Sequence, residues 1–477
     1  MADTKKTNAN EEKNDAAKEL REKLLYTRKN GAAKVGEKTL AEADAFCEGY
    51  KVFLDRAKTE REAVNETVAM AEKNGFVPFE AGKQYKAGDR VYKVNRGKAI
   101  VLAVIGKESA DKGMLISAAH IDSPRLDLKP NPLYESDDLA FLKTHYYGGV
   151  KKYQWATIPL ALHGVVCLAD GSKVEINIGE DPSDPQLCVT DLLIHLSAEQ
   201  MQRKAMDVIK GENLNLLIGS RPLPDDDGSD SVKLNVLRLL NEKYGIVEAD
   251  FLSAELEAVP AFNARDIGLD RSMIGAYGHD DRVCAYPSLM ALFETRTPDK
   301  TCVVCLADKE EIGSEGNTGL NSVYMVNFIT DIAESQGVSG RAALSASKCL
   351  SADVNAAYDP NFADVYEKRN SSVLNGGVVV TKYTGSRGKS GSSDASAEYM
   401  ANVRGILDSE NVLWQAGELG RVDAGGGGTV ALYIAHYDVD VVDIGVPVLC
   451  MHAPLEVVSK LDVYMTKQAV AAFFMKG

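Results

Sequence analysis

Apolar positions in this chain follow two rhythms, and the places where one gives way to the other divide it into blocks. In residues 16–26, Leu20, Leu24 and Leu25 recur among charged neighbours at the spacing of one helical face. Phe46, Tyr50 and Phe53 keep that spacing inside 41–74, which predicts a long helical stretch. From Arg90 the texture changes. The runs 98–106 (KAIVLAVIG) and 113–119 (GMLISAA) are short, apolar and bounded by glycine, and read as buried strands.

Between about Lys129 and Gly268 the pattern shifts again. Residues 155–168 and 173–178 read as antiparallel strands joined at Asp170-Gly171, a hairpin signal, and 222–230 (PLPDDDGSD) is a loop by composition. After Gly268 strands and helices alternate: 301–307, then 323–334, then 346–354. Such alternation predicts an α/β fold, a sheet covered by helices. The middle block then reads as an insertion between two halves of one α/β domain. No internal repeat or heptad array interrupts this picture.

Composition narrows the function. The 477 residues are 45% hydrophobic and 26% charged, as in an ordinary folded protein. The net charge of −15 argues against nucleic acid, whose phosphates require concentrated lysine and arginine. The longest nearly apolar stretch, 156–169, is broken by Pro159, His163 and Gly164, short of the ~20 residues of a spanning helix. No membrane partner is therefore expected. Residues 1–14 are polar and lack the apolar core of a secretory signal. Eight cysteines then read as reduced thiols in a cytoplasmic protein.

Seven histidines make each neighbourhood informative. His120 ends the strand-like run before it, in SAAHIDSP (117–124), at the kind of strand end where α/β sheets bind ligands. Asp122, two residues on, can accept the second imidazole N–H and fix which nitrogen faces a metal. The run 301–307 leads into DKEEIGSE (308–315). Glu310 and Glu311 at such an exit repel each other unless a cation or proton intervenes. Metal sites divide such a pair: one carboxylate binds the ion while the other takes a proton from water. Asp281 opens a helix-like segment, Asp353 follows 346–352, and His452 ends the run 446–451. Each alone reads as well as a cap or a turn. Their recurrence at element ends is what caps do not explain. A single Zn²⁺ takes four ligands, so five donors favour two ions sharing one carboxylate.

Other patterns fail on inspection. Residues 385–390 lack the spacing of a phosphate loop, and 426–431 follow no strand, so neither binds nucleotide by its usual mechanism. Cys302 and Cys305 fall on opposite faces of one strand. No HExxH or GxSxG motif is present.

The ordered blocks SAAHIDSP (117–124), HDDRV (279–283), DKEEIGSE (308–315), SADVNA (351–356) and CMH (450–452) resemble the aspartyl aminopeptidase and aminopeptidase I family, dinuclear zinc exopeptidases, over nearly the whole chain. The resemblance implies an α/β catalytic domain, a mixed sheet flanked by helices, formed by 1–128 and 269–477. Residues 129–268 would form an inserted, β-rich dimerisation domain. It implies two divalent ions, Zn²⁺ with Co²⁺ or Mn²⁺ also compatible: His120, Asp281 and Asp353 on one, Glu311 and His452 on the other, with Asp281 bridging. Asp122 would orient His120, and Glu310 would be the general base. His195, in LLIHL (192–196), would reach a neighbouring subunit's site, and Lys382 would face substrate. The expected activity is removal of single N-terminal residues from peptides, in a homo-oligomer, a dodecamer built from dimers. Carboxypeptidase or deacylase chemistry on the same centre, and an assembly protein with a vestigial site, are the competing readings.

Overall fold

The computed structural model describes residues 17–26 and 30–477; the polar start at 1–14 lies outside them. A nine-stranded sheet forms the centre. Its four middle neighbours, Cys302–Ala307, Leu115–His120, Lys348–Ala352 and Asp440–Gly445, run parallel in that order. Ala99–Val104 and Arg90–Asn95 extend one side antiparallel, and Val378–Thr381 begins the other, antiparallel to Asp440–Gly445. Ala99–Val104, Leu115–His120 and Cys302–Ala307 are buried at every position. Helices cover both faces of the sheet, which is why these strands read as unbroken apolar runs. Glu37–Arg56, His279–Glu294, Ala397–Ser409 and Lys460–Lys476 pack one face; Tyr324–Ser335 and Gly340–Ser345 pack the other. Cys302 sits in the first core and Cys305 in the second, on opposite faces of their strand.

The long helical stretch at 41–74 divides into Glu37–Arg56 and Glu60–Lys73. Thr59 stops it: its hydroxyl accepts the Glu62 N–H at 3.2 Å while Glu62 Oε2 accepts the Thr59 N–H at 3.1 Å, a capping box encoded as TERE. Lys58 in the break donates to the carbonyls of Pro260 and Phe262 at 2.9 and 3.0 Å.

A second, wholly antiparallel sheet has seven strands, all between Arg125 and Pro260, with its own core under helix Ser231–Tyr244. Leu160–Cys167 and Lys173–Ile178 form the expected hairpin, although the first strand begins at Leu160 rather than at Trp155, which ends a short helical turn. A third sheet joins Arg265–Ile267, Met273–Ala276, Glu456–Ser459, Pro447–Leu449 and Asn355–Ala356. The segment after Leu455 reads as the start of a helix; instead Glu456–Ser459 pairs with Met273–Ala276, burying Val458, and the helix begins at Lys460. No helix among the described residues is long and apolar enough to cross a membrane.

Candidate metal centre

The parallel strands end side by side, and the ends of three of them lead to His120, to Glu310 and Glu311, and to Asp353. His452 follows Pro447–Leu449 of the third sheet, and Asp280 stands at the head of His279–Glu294. His120 closes Leu115–His120 in register with Ala307, after which Asp308 leads to the turn Glu310–Ile312. Lys309 makes that turn possible at φ +67°, its Nζ anchored to Asp308 and Thr318 at 2.8 and 2.6 Å. Asp353 follows Lys348–Ala352, and its N–H donates to Ile444 O at 2.8 Å. Only glycine fits at 445, because a Cβ there would collide with the Asp353 carbonyl.

Two imidazoles face one carboxylate. His120 Nε2 lies 3.1 Å from Asp280 Oδ1, and His452 Nε2 lies 3.3 Å from Asp280 Oδ2. Beyond this axis, Asp353 Oδ1 is 3.8 Å from His120 Nε2, Glu311 Oε2 is 3.4 Å from His452 Nε2, and Glu310 Oε2 is 3.9 Å from His120 Nε2. Both Nδ1 atoms are engaged elsewhere. His120 Nδ1 lies 3.0 Å from the Asp122 carbonyl and 3.2 Å from Asp122 Oδ1, while His452 Nδ1 is 2.9 Å from Gly149 O. A proton held on Nδ1 leaves Nε2 free to bind a cation.

Asp122 ties His120 to both glutamates. Besides His120, its carboxylate accepts the N–H groups of Glu310 and Glu311, each at 3.2 Å, and the Tyr147 hydroxyl at 2.9 Å. Burial works against its charge, but the bond from His120 and the nearby cations outweigh it and hold the carboxyl below its usual range.

The position expected for Asp281 belongs to its neighbour. Asp280 spans the two histidines, whereas Asp281 is fully buried behind it with Oδ2 accepting the His120 backbone N–H at 3.3 Å. Both residues depart from helical φ/ψ at the head of His279–Glu294, and the intervening peptide bond is cis. Burial raises the Asp281 carboxyl well above the carboxylate range, with the Asp280 charge adding to it. The bonds from His120 and His452 overcome burial at Asp280 and hold it well below that range.

The cluster fits divalent cations. Asp280, Glu310, Glu311 and Asp353 find only the two histidines as cationic partners within ion-pair reach, among the described residues. Two unit charges ~4 Å apart repel by about 4 kcal/mol at a protein-like dielectric of ~20. Burial pushes Glu310 up to about 7 and Glu311 and Asp353 well above their ordinary values, with neighbouring carboxylates adding to each. Glu311 Oε1 and Asp281 Oδ1 are buried with no hydrogen-bond partner. His120 with Asp280 and Glu311, His120 with Glu310 and Asp353, and Asp280 with Asp281 and Asp353 offer ligand atoms lying within 4.8 Å of one another.

Comparison with known proteins decides the family. The model of the aminopeptidase I zinc metalloproteases (M18) matches residues 53–474. The chain belongs to this family. A probable M18 family aminopeptidase 1 of Clostridium acetobutylicum is 52% identical over 458 residues, covering 94% of this chain and 98% of the relative. The crystal structure of an M18-family aminopeptidase from Thermotoga maritima superposes with a TM-score of 0.91 at 44% identity, covering 95% of this chain and 100% of that one. That of aminopeptidase I from C. acetobutylicum gives 0.88 at 49%, covering 94% and 100%. An S. cerevisiae mApe1 dodecamer, 18% identical over 92% of this chain and 97% of that one with a TM-score of 0.74, shares the fold. The chain is thus a metallo-exopeptidase, an M18 aminopeptidase of the zinc metalloprotease type.

In this M18 aminopeptidase a cavity of about 490 Å³ opens onto Asp280, Glu310, Glu311, Asp353 and His452. The rest of its lining is uncharged and includes Asn355, Thr381, Thr384, Leu419, Leu432, Tyr433 and Met451. Lys382 is outside that lining, its Nζ bonded to Asp394. His195 is exposed on the short turn Ile194–Leu196 and is not part of the cavity. Sequence reasoning missed Glu456, whose Oε1 accepts the His452 N–H at 2.7 Å and whose Oε2 accepts the Asp280 N–H at 3.0 Å. It ties the backbones of both residues together, and burial raises its carboxyl to about 8. A lone acid in the apolar run LEVV was its one signal.

Proposed function

We propose that this aminopeptidase removes single N-terminal residues from peptides with two divalent ions, Zn²⁺ by family and Co²⁺ or Mn²⁺ by compatible donor chemistry. Asp280 is their shared ligand; His120 and Asp353 complete one site, Glu311 and His452 the other. The observation that carries this reading is the approach of both Nε2 atoms to the two oxygens of one carboxylate, at 3.1 and 3.3 Å. Bound there, the ions supply a lowered pKa for water and a Lewis-acid pull on the scissile carbonyl.

The chain's own groups do the rest. Glu310 accepts the proton of the attacking water and returns it to the leaving amine. Its placement supports this: it borders the cavity beside His120, and the Asp122 carboxylate fixes its backbone N–H. Asp122 holds the His120 ring and both glutamate backbones in place. His195 of a neighbouring subunit donates a hydrogen bond to the developing oxyanion; its exposed setting beside Leu193, Ile194 and Leu196 suits a residue covered in an assembly. Lys382, released from Asp394, meets the substrate side chain. Assembly proceeds through dimers of the inserted 129–268 domain to a dodecamer, the state of the yeast relative. All eight cysteines are free, in keeping with a cytoplasmic enzyme.

The test compares free and N-acetylated leucyl peptides on one metal-analysed sample of the full-length protein. Cleavage of the free peptide alone, with two ions per chain, is expected. Equal cleavage of the acetylated peptide would favour deacylase chemistry, and one ion per fully active chain would end the two-ion reading.

A further inference from the structure

Three consecutive residues at the end of strand Leu139–Tyr147, in the antiparallel sheet, touch three different residues of the metal centre. Tyr147 Oη donates to Asp122 Oδ2 at 2.9 Å. Gly148, at φ +74°, lies so close to Glu311 that a Cβ there would stand 3.3 Å from Oε2. The Gly149 carbonyl accepts the His452 Nδ1–H at 2.9 Å, and a Cβ on Gly149 would stand 3.2 Å from that nitrogen. The ligand candidates come from the central sheet, the third sheet and the head of helix His279–Glu294, yet the partners that orient both histidines include a segment from the antiparallel sheet.

We propose that the Tyr147–Gly149 segment positions both halves of the metal centre, Tyr147 through Asp122 to His120 and Gly149 directly on His452. The proposal rests on the two-ion reading above. Tyr147 is itself firmly placed. It pairs in register with Arg125, whose guanidinium stacks 3.9 Å from the ring centroid. Arg125 is held by Asp127 at 2.8 Å, Glu257 at 3.2 Å and Glu60 at 3.4 Å. Oη thus sits on a ring clamped from behind and aimed at one carboxylate oxygen. Without it Asp122 Oδ2 keeps only the Glu311 N–H, and three donors rather than four hold the carboxylate against His120. Residues that orient a metal-binding histidine this way typically change metal affinity ~10–100-fold when removed. Tyr147 is therefore a positioning residue, and the inserted sheet contributes to the metal centre as well as to the surface.

The experiment uses full-length wild type, Tyr147→Phe, Tyr147→Leu and Gly149→Ala, each stripped of metal and titrated with Co²⁺. Tyr147→Phe keeps the stacked ring and loses only the hydroxyl. It should melt like the wild type when metal-free, bind one Co²⁺ roughly tenfold or more weaker, and change the visible Co²⁺ spectrum; kcat should fall with KM nearly unchanged. Gly149→Ala should weaken the other Co²⁺ instead. Tyr147→Leu, which also loses the stacking on Arg125, should lower the metal-free melting temperature. Wild-type Co²⁺ affinity and spectrum in both Tyr147→Phe and Gly149→Ala would overturn the proposal. A wild-type protein that binds a single Co²⁺ would overturn the two-ion reading instead.

Discussion

The two halves of the metal centre are built differently. His120 is 1% exposed, and the carboxylate behind it takes four donors from three separate segments. His452 is 33% exposed and borders the cavity, held by one carbonyl at Nδ1 and by Glu456 through its backbone N–H. His120 is thus enclosed by the protein, while His452 is partly open to solvent. On the two-ion reading, the ions should differ in how tightly they are held.

The largest expected effect falls on the carboxylate beside His120 that is read as the general base. Glu310→Gln should keep wild-type metal content while turnover falls by roughly 10²–10⁴-fold, measured as hydrolysis of leucyl-p-nitroanilide beside metal analysis of the same sample. Retained turnover would remove Glu310 from the chemistry.

A graded chelator titration sharpens the contrast itself. Half of the bound metal should leave at a chelator concentration about tenfold lower than the rest, and His452→Ala should lose the early-leaving fraction alone. Two ions leaving together would show that the halves do not differ in grip.

The smallest effect concerns the joint between the sheets. His163 in the antiparallel sheet meets Glu62 at 2.7 Å and Glu180 at 3.1 Å, with Lys58 2.8 Å from Glu180. Burial opposes its charge, but the two carboxylates raise it to about 9. A pKa raised on folding above the ordinary ~6.5 stabilises in full below pH 6.5, and the contribution fades as pH climbs toward 9. Between those limits the wild type should lose about 1–3 °C more in melting temperature than His163→Gln. Parallel melting curves would mean that His163 stays neutral.

Much of the central sheet was legible, because strands covered on both faces leave runs such as 98–106 and 113–119 with little else to be. The site was legible as positions: His120, Glu311, Asp353 and His452 stand at element ends in sequence and converge in space. The choice between Asp280 and Asp281 was not. The residues are adjacent and chemically identical, and neither periodicity nor spacing says which turns toward the histidines. The break at Thr59 was readable from its capping box but was hidden by apolar spacing that continues across it. Tyr147 and Gly149 left no local signal, since their role arises where one sheet meets the other. His195 and Lys382 carried only a family likeness, and neither lines the cavity of a single chain.

The most direct test sets Asp280→Asn beside Asp281→Asn in a Zn²⁺ titration of the metal-free protein. Asp281 directs its carboxylate to the His120 backbone N–H rather than to either imidazole Nε2, so its amide should take up as many ions as the wild type. Asp280→Asn should lose tight binding of both. The opposite outcome, two ions held by Asp280→Asn and none by Asp281→Asn, would contradict the account.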